Sequence, residues 1–102
     1  MKSQDYIGKK VIVRCNRAGV FYGNLAEFDS MSREASLTGC RRIWYWDGAA
    51  SLSQLATDGT KNPDNCKFSV TVPEMSVMEV IEILPCTDKS IKSIEEVAVW
   101  AR

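Results

Sequence analysis

The sequence of 102 residues contains no histidine. Histidine is the commonest general base at neutral pH and the commonest metal ligand. A Ser-His-Asp triad, a Cys-His pair and a histidine-bearing zinc site therefore cannot be built from one chain. Phosphate-binding loops of the types G-x-x-x-x-G-K-[ST] and G-x-G-x-x-G are also missing. We therefore expect a protein that is not an enzyme and that uses no metal or cofactor.

Net charge is lacking as well, because 13 basic side chains balance 13 acidic ones. A general binder of DNA or RNA usually carries a basic excess, so we expect no polymeric nucleic acid as a partner. No apolar run approaches the ~18 residues of a membrane span. No secretory signal precedes the first strand-like segment. These absences predict a cytoplasmic protein with no membrane partner.

Cysteine is present four times, but without any C-x-x-C pair, at Cys15, Cys40, Cys66 and Cys86. An even number is compatible with two disulfides in a secreted protein. Because no secretion signal is visible, we favour reduced, buried thiols. The rest of the composition, 45% hydrophobic and 25% charged, is typical of a globular protein. The length predicts one domain over residues 1–102 with one hydrophobic core.

Local patterns predict an α+β fold, a small and mostly antiparallel β-sheet with two short helices. Alternating and β-branched segments predict strands at 7–15, 20–28, 34–46, 67–72 and 75–84. The third strand is expected to bend at Gly39, and Pro73 to end the fourth. The order of residues 75–84 also suits a helix, although its β-branched content favours a strand.

One helix is predicted after the third strand and one near the C-terminus. The first covers residues 49–56, with Ser51 and Gln54 as a capping box and Gly59 as its stop. The second runs from residue 89 to about 96, after an N-cap at Thr87 or Asp88. Two turns of helix are unstable alone in water, so the first helix must pack on the sheet.

The densest group of binding side chains is Arg41-Arg42-Ile43-Trp44-Tyr45-Trp46. In an extended strand, Arg42, Trp44 and Trp46 project to one face, whereas Arg41 and Tyr45 project to the other. Arginine binds phosphate or carboxylate through two parallel hydrogen bonds, and tryptophan stacks on purines. This combination is typical of nucleotide binding. Packing of the aromatic rings in the core is the alternative interpretation.

Further ligand candidates lie close to this motif in the sequence. Ser51 and Ser53 stand at a helix start, where free N–H groups and hydroxyls suit a phosphate, although Ser51 also suits simple capping. Phe21 lies on the second strand and Asn62 in the longest loop. The predicted ligand-binding set is therefore Arg41, Arg42, Trp44, Trp46, Phe21, Ser51, Ser53 and Asn62.

Two segments, residues 19–23 (GVFYG) and 41–56 (RRIWYWDGAASLSQLA), resemble the small phage and prophage proteins of the Thoeris anti-defence 1 family. The resemblance implies a sponge that sequesters cyclic ADP-ribose isomers in the cytoplasm of an infected bacterium without cleaving them. This sequestration blocks Thoeris immunity. It also implies possible binding of cyclic di- or trinucleotides at separate sites, and a homo-oligomer, either a dimer or a hexamer.

Two other functions stay open at the level of sequence. One is a small structural or scaffold protein of a phage particle, with Trp44 and Trp46 in its core. The other is a nucleic-acid-binding β module. The apolar C-terminal segment 97–100 (VAVW) is expected either to dock on the sheet of its own chain or to form a subunit interface.

Overall fold

The computed structural model describes residues 3–100 of the chain. The strands of this part are β1 Lys10–Cys15, β2 Gly19–Asp29, β3 Glu34–Tyr45, β4 Lys67–Phe68, β5 Val72–Val77 and β6 Val80–Pro85. The α-helices are α1 Leu52–Asp58 and α2 Asp88–Glu96, with 3-10 turns at Ser3–Tyr6 and Pro63–Asn65. The predicted α+β class and the places of both helices are confirmed. The first two and last two residues of the predicted domain lie outside the described residues.

The sheet is antiparallel and strongly curved. Its order is β4-β3-β2-β1-β6, and β5 pairs with the first half of β3. Strands β5 and β6 thus lie at opposite edges, yet only Met78 and Glu79 join them. In a flat sheet these edges would be about 19 Å apart, whereas three residue steps span at most about 11 Å. The sheet must therefore curl until its two edges approach each other.

A bulge between β2 and β3 accompanies this curvature, at the position where the sequence predicts a bend. The pairing register shifts between Tyr22 and Asn24, and Gly39 on the opposite strand has a φ of 52°. A β-carbon on Gly23 would lie 2.8 Å from the β-carbon of Cys40, so glycine is needed for the close approach. Extra residues of this kind increase the local bend and twist of a strand.

The core consists of two clusters on opposite faces of the sheet, so the prediction of a single core is wrong. The inner cluster, within the curl, contains Val11, Val13, Cys15, Phe21, Leu25, Ala35, Leu37, Cys40, Val77 and Val80. The outer cluster lies beneath the helices and contains Ile12, Tyr22, Ile43, Leu55, Ala56, Cys66, Phe68, Ile94 and Val97. Both clusters form because successive residues of β1 alternate between two covered faces.

The strands after residue 66 differ from the prediction. The predicted strand 67–72 is interrupted, because β4 ends at Phe68 and β5 begins at Val72. At Ser69 the main-chain oxygen accepts from Arg41 Nε and the hydroxyl accepts from the Arg42 N–H, which takes this residue out of the ladder. Pro73 lies inside β5 rather than ending a strand, which an edge strand tolerates because its outer N–H groups need no partner. The predicted strand 75–84 is divided at Met78 and Glu79, where Glu79 adopts a φ of 57°. The cysteines are unpaired, and Cys15, Cys40 and Cys66 are buried as expected.

The helices cover the outer cluster and are joined to each other. The hydroxyl of Ser90 on α2 donates to the main-chain oxygen of Leu55 on α1 at 2.7 Å. Gly59 ends α1 with a φ of 76°, and its N–H donates to the oxygen of Leu55. Neither helix in residues 3–100 has the length and apolar character to cross a lipid bilayer.

Candidate functional site

The side chains of the second half of β3 lie in three different environments. Arg41 and Ile43 are buried under the helices, and Arg42 lies at the rim of the inner cluster. Trp44 and Tyr45 are both exposed, because the pairing with β4 shifts register between Ile43 and Tyr45. The predicted alternation of faces therefore holds to Ile43 and fails beyond it.

Arg41 is a structural residue in this arrangement. Its side chain is 4% exposed, and its guanidinium lies 5.3 Å from the centre of the Phe68 ring. Nη1 donates to the main-chain oxygens of Ile94 and Val97, and Nε donates to that of Ser69. Burial lowers the pKa of this guanidinium. Carbonyl groups of its own chain therefore occupy Nε and Nη1, whereas the buried Nη2 has no hydrogen-bond partner within residues 3–100. Arg41 also lines a small hollow of about 280 Å³ beside Tyr22 and Glu95, away from the exposed end of β3.

Arg42 and Phe21 form a stacked pair at the surface. The guanidinium of Arg42 lies 4.6 Å from the centre of the Phe21 ring, and Nη1 donates to the main-chain oxygen of Ala18 at 2.7 Å. The Phe21 ring is itself buried in the inner cluster. Both residues belong to the predicted ligand set, and of the two only Arg42 is accessible to a ligand.

The most developed surface site is an aromatic platform, which we define as Trp44, Tyr45, Trp100 and Lys67. The three rings are 53%, 47% and 37% exposed, respectively. Trp44 and Trp100 meet edge to face, with ring centres 5.4 Å apart. The Lys67 ammonium lies 5.1 Å from the Trp100 ring centre and 5.9 Å from that of Tyr45. Together the four side chains line an open hollow of about 590 Å³.

The platform is assembled from three separate parts of the chain. Trp44 and Tyr45 come from β3, Lys67 from β4, and Trp100 from the segment after α2. That segment docks beside β4, where Val99 bridges to Phe68 and the Trp100 N–H donates to the Phe68 oxygen at 3.0 Å. The C-terminal segment therefore docks on its own sheet, and Trp100 stays partly exposed.

The other predicted residues lie outside the platform. Trp46 is half-buried and packs against the outer cluster. Ser51 caps α1 by accepting from the Gln54 N–H, which is the simple capping interpretation. Ser53 is exposed on α1. Asn62 donates to the Asp47 carboxylate at 2.9 Å. None of these four lines the hollow beside Trp44.

Asp47 organises the long loop that follows β3. Its carboxylate accepts hydrogen bonds from the side chains of Asn65 and Asn62 and from the Gly48 N–H. These bonds, that of Asn65 foremost, hold the pKa of Asp47 below its usual range. The main-chain oxygen of Asp47 also accepts from the Thr60 hydroxyl. The loop is thus a hydrogen-bonded structural unit.

The predicted ligand set lacks three residues of the platform: Tyr45, which the alternation assigned to the face opposite Trp44, and also Lys67 and Trp100. Lys67 and Trp100 come from distant parts of the chain. Both join the platform through pairings distant in sequence, β3 with β4 and Phe68 with Val99. The one available signal was the apolar ending with a tryptophan, a side chain that combines a large apolar surface with a polar N–H.

The platform has the chemistry of a stacking surface with one cation. Exposed indole and phenol rings stack on flat heteroaromatic rings, and an ammonium group attracts phosphate. In residues 3–100, no group of three or more acidic or cysteine side chains is placed to hold a metal ion. The arrangement suits reversible binding of a flat, anionic molecule.

The fold defines a small α+β protein with a curled antiparallel sheet, and comparison with solved structures supports this architecture. A heptameric archaeal Sm protein matches with a TM-score of 0.52 and 24% identity, covering 82% of this chain and 94% of that chain. This likeness concerns the fold. Residues 8–94 match the family described as a domain of unknown function, DUF6948, and the chain belongs to that family. Among curated proteins, none matches this sequence.

Proposed function

We propose that this protein is a sponge for cyclic ADP-ribose-type nucleotide signals, which it binds at the aromatic platform and does not cleave. The observation that carries the proposal is the cluster of three exposed aromatic rings beside the Lys67 ammonium. Burying this much aromatic surface away from water is favourable, and an exposed patch of this kind marks a binding site. The resemblance of residues 41–56 to the Thoeris anti-defence 1 family supplies the ligand class.

The dimensions and chemistry of the platform support a nucleotide. A hollow of about 590 Å³ falls within the range of small-molecule sites, which measure roughly 300–1,000 Å³. An adenine stacked on Trp44 or Trp100 gains ~1–3 kcal/mol per ring. Lys67 is the cation available to the diphosphate. A protein that binds the nucleotide without cleaving it needs no general base or nucleophile of the usual triad type.

Self-assembly is part of the same proposal. The hollow is open, so one copy of the platform covers only part of a bound nucleotide. A second copy of the chain facing the platform would enclose the ligand, and closed symmetry repeats such a site. The archaeal Sm protein that shares the fold is heptameric. We propose a homo-oligomer here as well, a dimer or a hexamer, to be distinguished by light scattering after size exclusion.

The biological role that follows is inhibition of Thoeris immunity in an infected bacterial cytoplasm. A protein that binds the signal tightly lowers its free concentration and so starves the effector. Cyclic di- or trinucleotides are further candidate ligands, because they too present stacked bases and phosphates.

The decisive experiment incubates the protein with cyclic ADP-ribose isomers, removes unbound ligand and releases the remainder by heat. A sponge returns the intact isomer and gains thermal stability as ligand is added. Return of hydrolysed product would show an enzyme. Absence of uptake with a constant unfolding temperature would rule out the sponge and leave a phage scaffold protein or a nucleic-acid-binding module as the function.

Binding of single-stranded nucleic acid is the second candidate, because unpaired bases stack on the same kind of surface. Zero net charge argues against it. Gel-shift titrations of single-stranded RNA and DNA at two salt concentrations separate the cases. Polymer binding that weakens steeply with salt would favour this candidate over the sponge.

A further inference from the structure

Arg42 is held in a fixed orientation at the surface, away from the platform hollow. Its guanidinium lies over the Phe21 ring at 4.6 Å, and Nη1 is bound to the Ala18 oxygen. Within residues 3–100, that is the one hydrogen bond the Arg42 side chain makes. Nε and Nη2 are therefore left as donors on a guanidinium whose rotation is already restricted. Binding to a preorganised fork of this kind costs little additional entropy.

A hollow of about 360 Å³ adjoins this guanidinium, and we call it the Arg42 groove. Its lining residues are Arg17, Ala18, Phe21, Arg42 and 75–79. Much of the wall is apolar, formed by Phe21, Met75, Val77 and Met78. Methionine side chains are flexible and adapt to ligands of different shape.

The rim of the groove carries a positive excess. Arg17 and Arg42 face one acidic side chain, Glu79, which lies 3.9 Å from the Arg17 Nε. The Arg17 side chain is 83% exposed, so this ion pair is weak and easily exchanged. Burial raises the pKa of the nearby Cys15 thiol, which therefore stays uncharged at neutral pH. The groove thus favours an anion.

The far wall of the groove is fixed by an unusual backbone conformation. Glu79 has a φ of 57°, a left-handed value that a residue with a β-carbon adopts at a cost of ~1–3 kcal/mol. Two hydrogen bonds hold it there: Asn16 N–H donates to the Glu79 oxygen at 2.9 Å, and Val80 N–H donates to the Arg33 oxygen at 3.0 Å. The turns after β1 and β2 therefore brace the segment that carries Met78.

We propose that the Arg42 groove is a second ligand site, which binds a small organic oxyanion, a phosphate or carboxylate carried on a flat apolar body. The Nε and Nη2 of Arg42 hold the oxyanion through two parallel hydrogen bonds. Met75 and Met78 contact the apolar body. The Arg42 groove and the aromatic platform have no lining residue in common, so this site stands independently of the proposed sponge function.

The first test follows the Arg42 Nε–H signal of the ¹⁵N-labelled protein by nuclear magnetic resonance. Phenyl phosphate, benzoate and inorganic phosphate are titrated separately. A saturable shift with phenyl phosphate or benzoate supports the site, and the tighter of the two identifies the preferred oxyanion. An unmoved Arg42 signal with both aromatic probes would overturn the proposal. Inorganic phosphate binding as tightly as phenyl phosphate would overturn the role of the apolar wall.

Two variants locate the binding by calorimetry with the same probes. Arg42→Gln loses the paired charge-assisted hydrogen bonds, so affinity should fall about tenfold or more. Trp44→Ala removes a platform ring and should leave the affinity unchanged. A loss in Trp44→Ala with unchanged affinity in Arg42→Gln would place the probe on the platform and refute the second site. If Arg42→Gln does not fold, the resonance titration alone decides whether the Arg42 groove binds the probes, because it uses the wild-type protein.

Discussion

Arg41 Nη1 donates a hydrogen bond to the main-chain oxygen of Val97 at 2.8 Å, across 56 residues of sequence. The same nitrogen donates to the Ile94 oxygen at 2.9 Å. Both carbonyls lie at the C-terminal end of α2, where the helix dipole concentrates partial negative charge. Through these bonds, the strand that carries Trp44 is tied to the segment that carries Trp100.

Arg41→Ala should therefore destabilise the fold. Removing the guanidinium takes the side-chain donor from the oxygens of Ser69 and Val97 and leaves the Ile94 oxygen with the Val97 N–H alone. We expect the free energy of unfolding to fall by about 2–4 kcal/mol. Urea unfolding measures this loss. Arg14→Ala is the matched control, because its bond to Glu82 is exposed and contributes about 0–1 kcal/mol. Equal losses in the two variants would contradict a structural role for Arg41.

Platform variants test where the nucleotide binds. Trp44→Ala and Trp100→Ala should each weaken cyclic ADP-ribose binding about tenfold or more, because one stacked ring contributes ~1–3 kcal/mol. Lys67→Gln should weaken it and reduce its salt dependence. Calorimetry gives the affinities. Trp46→Phe is the control, since that ring packs on the outer cluster and should affect stability alone. Loss of binding in Trp46→Phe equal to that in Trp44→Ala would exclude the platform as the site.

Most of the fold followed from local patterns in the sequence. Ser51, Gly59 and Thr87 mark helix ends by capping chemistry that depends on a few neighbouring residues. Gly39 likewise indicates the bulge through a local property, because glycine readily adopts a positive φ. The division of the segment 75–84 could not be predicted, because closure of the sheet imposes the left-handed conformation on Glu79, and glutamate gives no local signal for it.

The candidate site was predicted only in part. Trp44 lies in it, whereas Arg41 is buried, because β4 and the C-terminal segment pack on one side of β3. Such packing depends on contacts such as Trp44 with Trp100, which are distant in sequence. Alternation of side chains indicated β3 as the strand of the candidate site but could not identify the residues that pack beside it.

Asp47→Asn should remove an acid sensitivity of the wild-type protein. The hydrogen bonds from Asn65, Gly48 and Asn62 depress the pKa of Asp47 in the folded state. Their stabilisation is therefore present above the unfolded-state pKa and is lost as pH falls through the folded-state value. Urea midpoints between pH 5 and pH 2 should decline less steeply in Asp47→Asn than in the wild type. Asp64→Asn, in the same loop, is the control, and an identical decline in all three proteins would contradict this account.

Cys86 should react slowly despite its partial exposure. Burial raises the pKa of its thiol to about 11, and alkylation requires the thiolate. At pH 8 its reaction with iodoacetamide should be on the order of a hundredfold slower than that of free cysteine. The rate should rise about tenfold per pH unit toward the pKa. Mass spectrometry of the modified protein identifies the site, and a rate at pH 8 equal to that of free cysteine would refute the shifted pKa.

Gly23→Ala should be destabilising for a steric reason alone. The new methyl group would lie 2.8 Å from the β-carbon and 3.1 Å from the α-carbon of Cys40, and neither atom can move without displacing β3. We expect a loss of about 1–3 kcal/mol, as for other overpacked cores. Cys40→Gly destabilises by itself but removes the colliding β-carbon. In a double-mutant cycle followed by urea unfolding, the combined loss should therefore be smaller than the sum of the single losses. Additive losses would show that the close approach of β2 and β3 at Gly23 is not what requires glycine.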